Sequence, residues 1–298
     1  MFKGSIVALI TPFKNSRLDE NSFAKMMKFQ IEAQTDGVVI AGTTGESSNL
    51  NKTEINEMFD IASSIRKEMN SNIQIIIGTG SNSTESAVQK TEFAKTLQPD
   101  GMLVVTPYYN KPTQDGLYLH FEEIARVAHP FPIILYNVPG RTGCNMHALT
   151  TEKLSKIENV AAIKEASGNL AQISEIYMKA CAGSKKGFTI LSGDDALTLP
   201  ILSIGGSGVI SVTANVAPKL VKKCVTQYLS GDIVAARETH YELFELHDAM
   251  FLESNPIPVK TAMSMMGLCE EEFRLPLSKI SATARVKLSE VMKKYGLI

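Results

Sequence analysis

The stretch DGVVIAGTTGESSNLNKTEINEMFDIASSIRKEM, Asp36 to Met69, holds one strand, one loop and one helix. Val38 to Ala41 form a continuous apolar run between glycines, which suits a strand covered on both faces better than one with a wet and a dry side. Asn51 then precedes Glu54 by three residues, the spacing of a capping box. Ile55, Met58, Phe59, Ala62, Ile65 and Met69 follow at the helical period. The stretch predicts a βα unit.

Outward from this unit the pattern repeats. Apolar runs rich in β-branched residues occur at SIVALI from Ser5, DGVVIAG from Asp36, IQIIIGTG from Ile73, GMLVVTP from Gly101, FPIILYNVP from Phe131, VAAIKEA from Val160, FTILSGD from Phe188 and SGVISV from Ser207. Most begin about 30 residues after the one before, and eight such units suit a closed (β/α)8 barrel better than an open doubly wound sheet. Leu117, Phe121, Ile124, Ala125 and Ala128 make a helical stripe after the fourth run. The seventh and eighth runs lie closer together, so the helix between them must be brief. From Pro218 the chain is helical in character. The expected organisation is an α/β barrel over 1–231 carrying the active site, then a helical tail over 232–298 interrupted at NPIPVK by Pro256 and Pro258.

Thirty basic against 31 acidic residues give a net charge of -1, which argues against a nucleic-acid partner. No apolar run reaches the roughly 18 residues of a membrane span, and the amino-terminal run is shorter than a signal-peptide core. Cys144, Cys181, Cys224 and Cys269 form no close pair and are expected to be reduced and buried in a cytoplasmic protein.

In a (β/α)8 barrel, chemistry sits at the carboxyl ends of the strands. Lys164 ends the sixth run, Tyr136 the fifth, and Thr43 and Thr44 follow the second. Tyr108 and Tyr109 follow the fourth, and Gly193 opens the GDD turn after the seventh. Strand alternation puts Ala162 and Lys164 on one face, with Ile163 and Glu165 on the other. An amine with a pKa near 10.4 is uncharged in only about one molecule in 2,500 at pH 7, and burial that brings the pKa to roughly 7 or 8 raises this fraction by up to about a thousandfold. Such an amine attacks carbonyl carbons to give a Schiff base. The residues alone leave a second reading open, a strand-end lysine that snorkels to water. GTTGES, Gly42 to Ser47, can form a small nest for a carboxylate or be merely a turn. Arg141, just past the Pro-Gly of YNVPGRTG, can grip a carboxylate through two parallel hydrogen bonds or lie idle on the surface.

Taken in order, ALITPF, GTTGES, GTGSN, VTPYYNKP, YNVPGRTG, IKEASG, LSGDD and GVISVTANVAP resemble the pyruvate-dependent class I aldolases of the N-acetylneuraminate lyase family. The resemblance covers most of the barrel; the tail matches only in helical character and NPIPVK. It implies that Lys164 forms a Schiff base with pyruvate, and that the derived enamine attacks L-aspartate 4-semialdehyde, opening the diaminopimelate route to lysine. It also implies that Tyr136 exchanges protons at the imine, with Thr43 and Tyr109 completing a hydroxyl relay. Thr44, Gly193 and the backbone of Ile210 match substrate-binding positions, and Arg141 matches the group that receives the semialdehyde carboxylate.

The resemblance implies no metal and no other cofactor. His120, His129, His147, His240 and His247 lie at no strand end, and His240 and His247, seven apart on a tail helix, are read as surface or packing residues. In the family the second tyrosine of the YY pair enters a neighbouring subunit, which implies a homo-oligomer, a tetramer built from two tight dimers. Ser47, Ser48, Asn82 and Tyr108 match a pocket where L-lysine inhibits some members. Lys52, Ile55 and Ser86 replace histidines and a glutamate there, so inhibition is expected to be weak or absent. Two rivals stand: a sister aldolase acting on a sialic acid or keto-deoxy sugar acid, and a barrel that only senses a keto acid.

Overall fold

The computed structural model describes residues 2–184 and 187–298. Its strands are β1 (Gly4–Ala8), β2 (Phe13–Lys14), β3 (Arg17–Leu18), β4 (Gly37–Ile40), β5 (Gln74–Gly78), β6 (Gly101–Val105), β7 (Ile133–Asn137), β8 (Val160–Glu165), β9 (Thr189–Ser192) and β10 (Gly208–Ser211). The hydrogen-bonded order β1-β10-β9-β8-β7-β6-β5-β4 closes on itself, and the fold is the predicted (β/α)8 barrel. Each of the eight apolar runs is a barrel strand, and most of their residues are buried, as strands covered on both faces require.

The antiparallel hairpin of β2 and β3 was not anticipated. Its strands are too short to show a period. Its turn residues Asn15 and Ser16 both have positive φ, 54° and 63°, the geometry of a two-residue hairpin turn.

The chain divides into two compact units. One comprises the segment up to Gly4 and Ile76–Ile210. Its strands run parallel with Tyr136 beside Lys164, Asn137 beside Glu165, and Lys164 beside Leu191. The stripe on helix Gln114–Ala128 is buried as its spacing predicts. The helix between β9 and β10, Thr198–Ser203, is brief.

The other unit comprises Ser5–Ile75 and Ser211–Ile298. Here β1 pairs with β4, and helix Lys52–Glu68 begins with the predicted capping box. Asn51 Oδ1 accepts from the Glu54 N–H at 3.0 Å, while the Asn51 N–H donates to Glu54 Oε2 at 3.1 Å. Met58, Phe59, Ala62 and Ile65 are buried; Ile55 and Met69 at the ends of the stripe are half-buried. Helices Pro218–Leu229, Ile233–Ala249, Ile257–Met265 and Ala282–Lys294 follow. Pro256 and Pro258 do separate two helices, but they also start the second, where a missing N–H costs nothing. His240 and His247 are buried packing residues, with His247 Nδ1 2.8 Å from Thr213 Oγ1.

All four cysteines are unpaired. Cys144 and Cys224 are buried as expected, whereas Cys181 and Cys269 are only half-buried. Among the described residues no helix is long and apolar enough to cross a membrane.

Candidate active site

Lys164 lies one residue from the end of β8 and is 5% exposed. Its Nζ sits 4.2 Å from the centroid of the Tyr136 ring, so the amine meets an aromatic face. Among the described residues no carboxylate pairs with it. Gly193 makes room for its stem: a Cβ at that position would lie 3.1 Å from Lys164 Cε and 2.8 Å from Ala166 Cβ. Lys164, Tyr136 and Gly193, three of the predicted site residues, are thus brought together.

Glu165 faces the other way, as strand alternation requires. Its buried carboxylate accepts from Asn137 Nδ2 at 3.0 and 3.2 Å, from the Ser167 N–H at 2.7 Å and from Gln172 Nε2 at 3.4 Å. Burial pushes its pKa above the ordinary carboxyl value, and these donors oppose the shift. Asn137 also accepts from the Met146 N–H at 2.9 Å and donates to Asn145 Oδ1 at 2.8 Å. This network ties the ends of β7 and β8 together behind the faces that carry Tyr136 and Lys164. Sequence reasoning passed over Asn137, although a polar residue inside an apolar strand is a signal in itself.

Arg141 is exposed on the short helix Pro139–Thr142, and Ile210 is buried in β10. After β6, the Tyr109 N–H donates to the Thr142 carbonyl at 3.2 Å and Asn110 Nδ2 donates to the Asn82 carbonyl at 2.8 Å. Tyr109 has φ 75° and is 88% exposed, while Tyr108 is 37% exposed. A bulky residue at positive φ is a backbone outlier, and such strain clusters at functional sites.

In the other unit, Thr43 is half-buried and Thr44 buried in the loop after β4. Gly45 is closely packed: a Cβ there would lie 3.0 Å from the Leu9 carbonyl oxygen. Left-handed backbone falls instead on Ala41 and Glu46. Asn255 Nδ2 donates to Thr44 Oγ1 at 3.0 Å. Glu46 forms a fully buried ion pair with Lys260, and the Arg274 N–H reaches Glu46 Oε2 at 3.3 Å. Ser47 is half-buried and Ser48 exposed; Lys52 is exposed, and Ile55 and, in the first unit, Asn82 and Ser86 are half-buried. Asn255 and Lys260 escaped sequence reasoning; their one signal was NPIPVK, read as a helix break and as part of the family resemblance but not as a site.

Burial lowers the His120 pKa to about 4, which leaves a neutral imidazole beside the Thr84 hydroxyl. No group of three or more His, Cys, Asp or Glu among the described residues is placed to hold a metal ion.

A model of the dihydrodipicolinate synthetase family matches residues 1–295. A protein of Geotalea uraniireducens (strain Rf4) named 4-hydroxy-tetrahydrodipicolinate synthase is 49% identical over 298 residues, covering 100% of both chains. The crystal structure of dihydrodipicolinate synthase from Aquifex aeolicus is 46% identical over 99% of both chains, with a TM-score of 0.94. The chloride-inhibited dihydrodipicolinate synthase of Acinetobacter baumannii, solved in complex with pyruvate, is 39% identical over 100% of both chains, with a TM-score of 0.94.

Proposed function

The chain belongs to the dihydrodipicolinate synthetase family, and from that premise we propose that it condenses pyruvate with L-aspartate 4-semialdehyde to give 4-hydroxy-tetrahydrodipicolinate, through a Schiff base on Lys164. The observation that carries this reading is a lysine buried at a strand end against the ring of Tyr136, with no carboxylate partner among the described residues. The uncharged amine attacks the keto carbon of pyruvate and water leaves, giving an iminium. The iminium takes up the electron pair freed when a methyl proton departs, and the resulting enamine carbon attacks the aldehyde. The substrate's own amine then displaces Lys164 as the ring closes.

Tyr136 is assigned the proton exchanges at the imine, because a phenol lends and recovers a proton without holding lasting charge beside a cation. Thr43 and Tyr109 are assigned to the relay, Thr44, Gly193 and the Ile210 backbone to pyruvate, and Arg141 to the semialdehyde carboxylate. The exposed, strained Tyr109 supports a role completed by a second copy of the chain, and the assembly proposed is a tetramer of two tight dimers acting in the cytoplasm. In this reading residues 1–231 carry the catalytic barrel and residues 232–298 form a helical tail. Lys52 adds a cation and Ser86 lacks an anion in the pocket proposed around Ser47, Ser48, Asn82 and Tyr108, so L-lysine inhibits weakly or not at all. Substantial inhibition below millimolar L-lysine sinks that part.

The central test is borohydride reduction in the presence of pyruvate, followed by peptide mapping. The adduct is expected on the peptide containing Lys164 and on no other. An unlabelled protein would exclude Schiff-base chemistry. Turnover with a sialic acid or sugar-acid aldehyde in place of the semialdehyde would move the assignment to a sister aldolase.

A further inference from the structure

NPIPVK, Asn255 to Lys260, takes no part in the chemistry assigned above, yet both of its polar side chains reach the loop that carries Thr43 and Thr44. Asn255 is 6% exposed and Thr44 2%, so water does not compete for the hydrogen bond between them. A hydroxyl has one proton and two lone pairs. With the Asn255 amide N–H occupying a lone pair of Thr44 Oγ1, the hydroxyl proton is left to bond elsewhere, and accepting one bond strengthens the donation of another. A carboxylate is the acceptor that gains most from such a donor. Two residues on, the Glu46–Lys260 pair anchors the loop, and the Glu46 N–H closes back on the Thr43 carbonyl at 3.1 Å.

We propose that Asn255 is a positioning residue, whose side-chain amide fixes the Thr44 hydroxyl as a hydrogen-bond donor to the carboxylate of the 2-oxo acid substrate. The inference rests on the assignment of Thr44 to pyruvate. It makes the helical tail a determinant of substrate affinity rather than a mere support for the barrel.

The discriminating variant is Asn255→Asp, which offers only acceptors and turns the Thr44 proton inward. Apparent pyruvate affinity is read without turnover, from the pyruvate concentration that half-saturates borohydride labelling of Lys164, and beside it from KM and kcat. The half-saturating concentration rises by about tenfold or more, as expected for loss of one charge-assisted hydrogen bond, while kcat at saturating pyruvate stays within about threefold. Asn255→Ala, which frees the hydroxyl to rotate, shows a smaller rise of the same kind. In a Thr44→Val background, Asn255→Ala has no further effect on KM. Unchanged half-saturation in Asn255→Asp, a fall in kcat at constant KM, or additive effects in the cycle with Thr44→Val would overturn the proposal. The cycle decides the matter if the aspartate variant does not fold. Failure to label wild-type Lys164 would instead remove the Schiff-base assignment itself, and this inference with it.

Discussion

Lys164 and Lys260 are both buried, one in each compact unit, and they are held in opposite ways. Lys260 is the deeper of the two, at 0% exposure. It is ion-paired with Glu46, donates to the Glu272 carbonyl at 3.1 Å and lies 4.4 and 5.0 Å from the ring centroids of Phe13 and Phe273. Desolvation pulls its pKa below the ordinary amine value, and Glu46 pulls it back up. Lys164 has the Tyr136 ring and, among the described residues, no carboxylate, because Glu165 bonds on the opposite face of the sheet. Burial alone therefore does not mark a reactive lysine. The presence or absence of a buried anion decides whether the ammonium is a structural charge or a candidate nucleophile.

The sharpest way to break this contrast is to remove each amine. Lys164→Ala is expected to abolish borohydride trapping and to lower turnover by on the order of 10⁴-fold or more. Its thermal midpoint should stay at or above wild type, since no partner charge is orphaned. Loss of that asymmetry would mean Lys164 is structural after all. Tyr136→Phe keeps the aromatic face but removes the proton, and turnover should fall by about 10² to 10⁴-fold with Lys164 still in place. Lys260→Met orphans Glu46 and should cost about 3–5 kcal/mol of stability in denaturant unfolding. A further change of Glu46→Gln in the same chain should restore most of that loss.

Smaller effects separate two carboxylates, Glu165 in one unit and Glu54 in the other. Glu165 has a raised pKa in the folded state, chiefly from burial, so its contribution to stability is full below an unfolded value of about 4.3 and is lost as pH rises through the folded value. Glu54 has a lowered pKa, chiefly from its hydrogen bond with Arg274. Its contribution is full above the unfolded value and is lost as pH falls through the folded one. Thermal midpoints of Glu165→Gln and Glu54→Gln, compared with wild type from pH 3 to 8, should therefore diverge in opposite senses. Parallel curves would refute the contrast. Smallest of all, Asn51→Ala removes the cap of helix Lys52–Glu68 and should cost about 1 kcal/mol without changing pyruvate trapping.

Much of the fold was legible because strand and helix periods are local. The eight apolar runs, the capping box at Asn51 and Glu54, the buried stripe after β6 and the opposed faces of Lys164 and Glu165 all follow from spacings within one element. The hairpin at Phe13 to Leu18 was missed because two-residue strands carry no period. At the candidate site, the grouping of Lys164, Tyr136 and Gly193 was legible from their places at strand ends, whereas the hydrogen bonds of Asn137 and Gln172 behind them were not.

What the amino-acid order determined by itself was the repeat, the face on which Lys164 stands, and the motifs that place the chain in its family. The tertiary structure decided which buried charges meet. Glu46 and Lys260 are 214 positions apart, and Thr44 and Asn255 are 211 apart. No local period encodes such pairs. They exist only because folding removes water from both partners at once, and a buried polar group then bonds to whatever the chain has brought beside it.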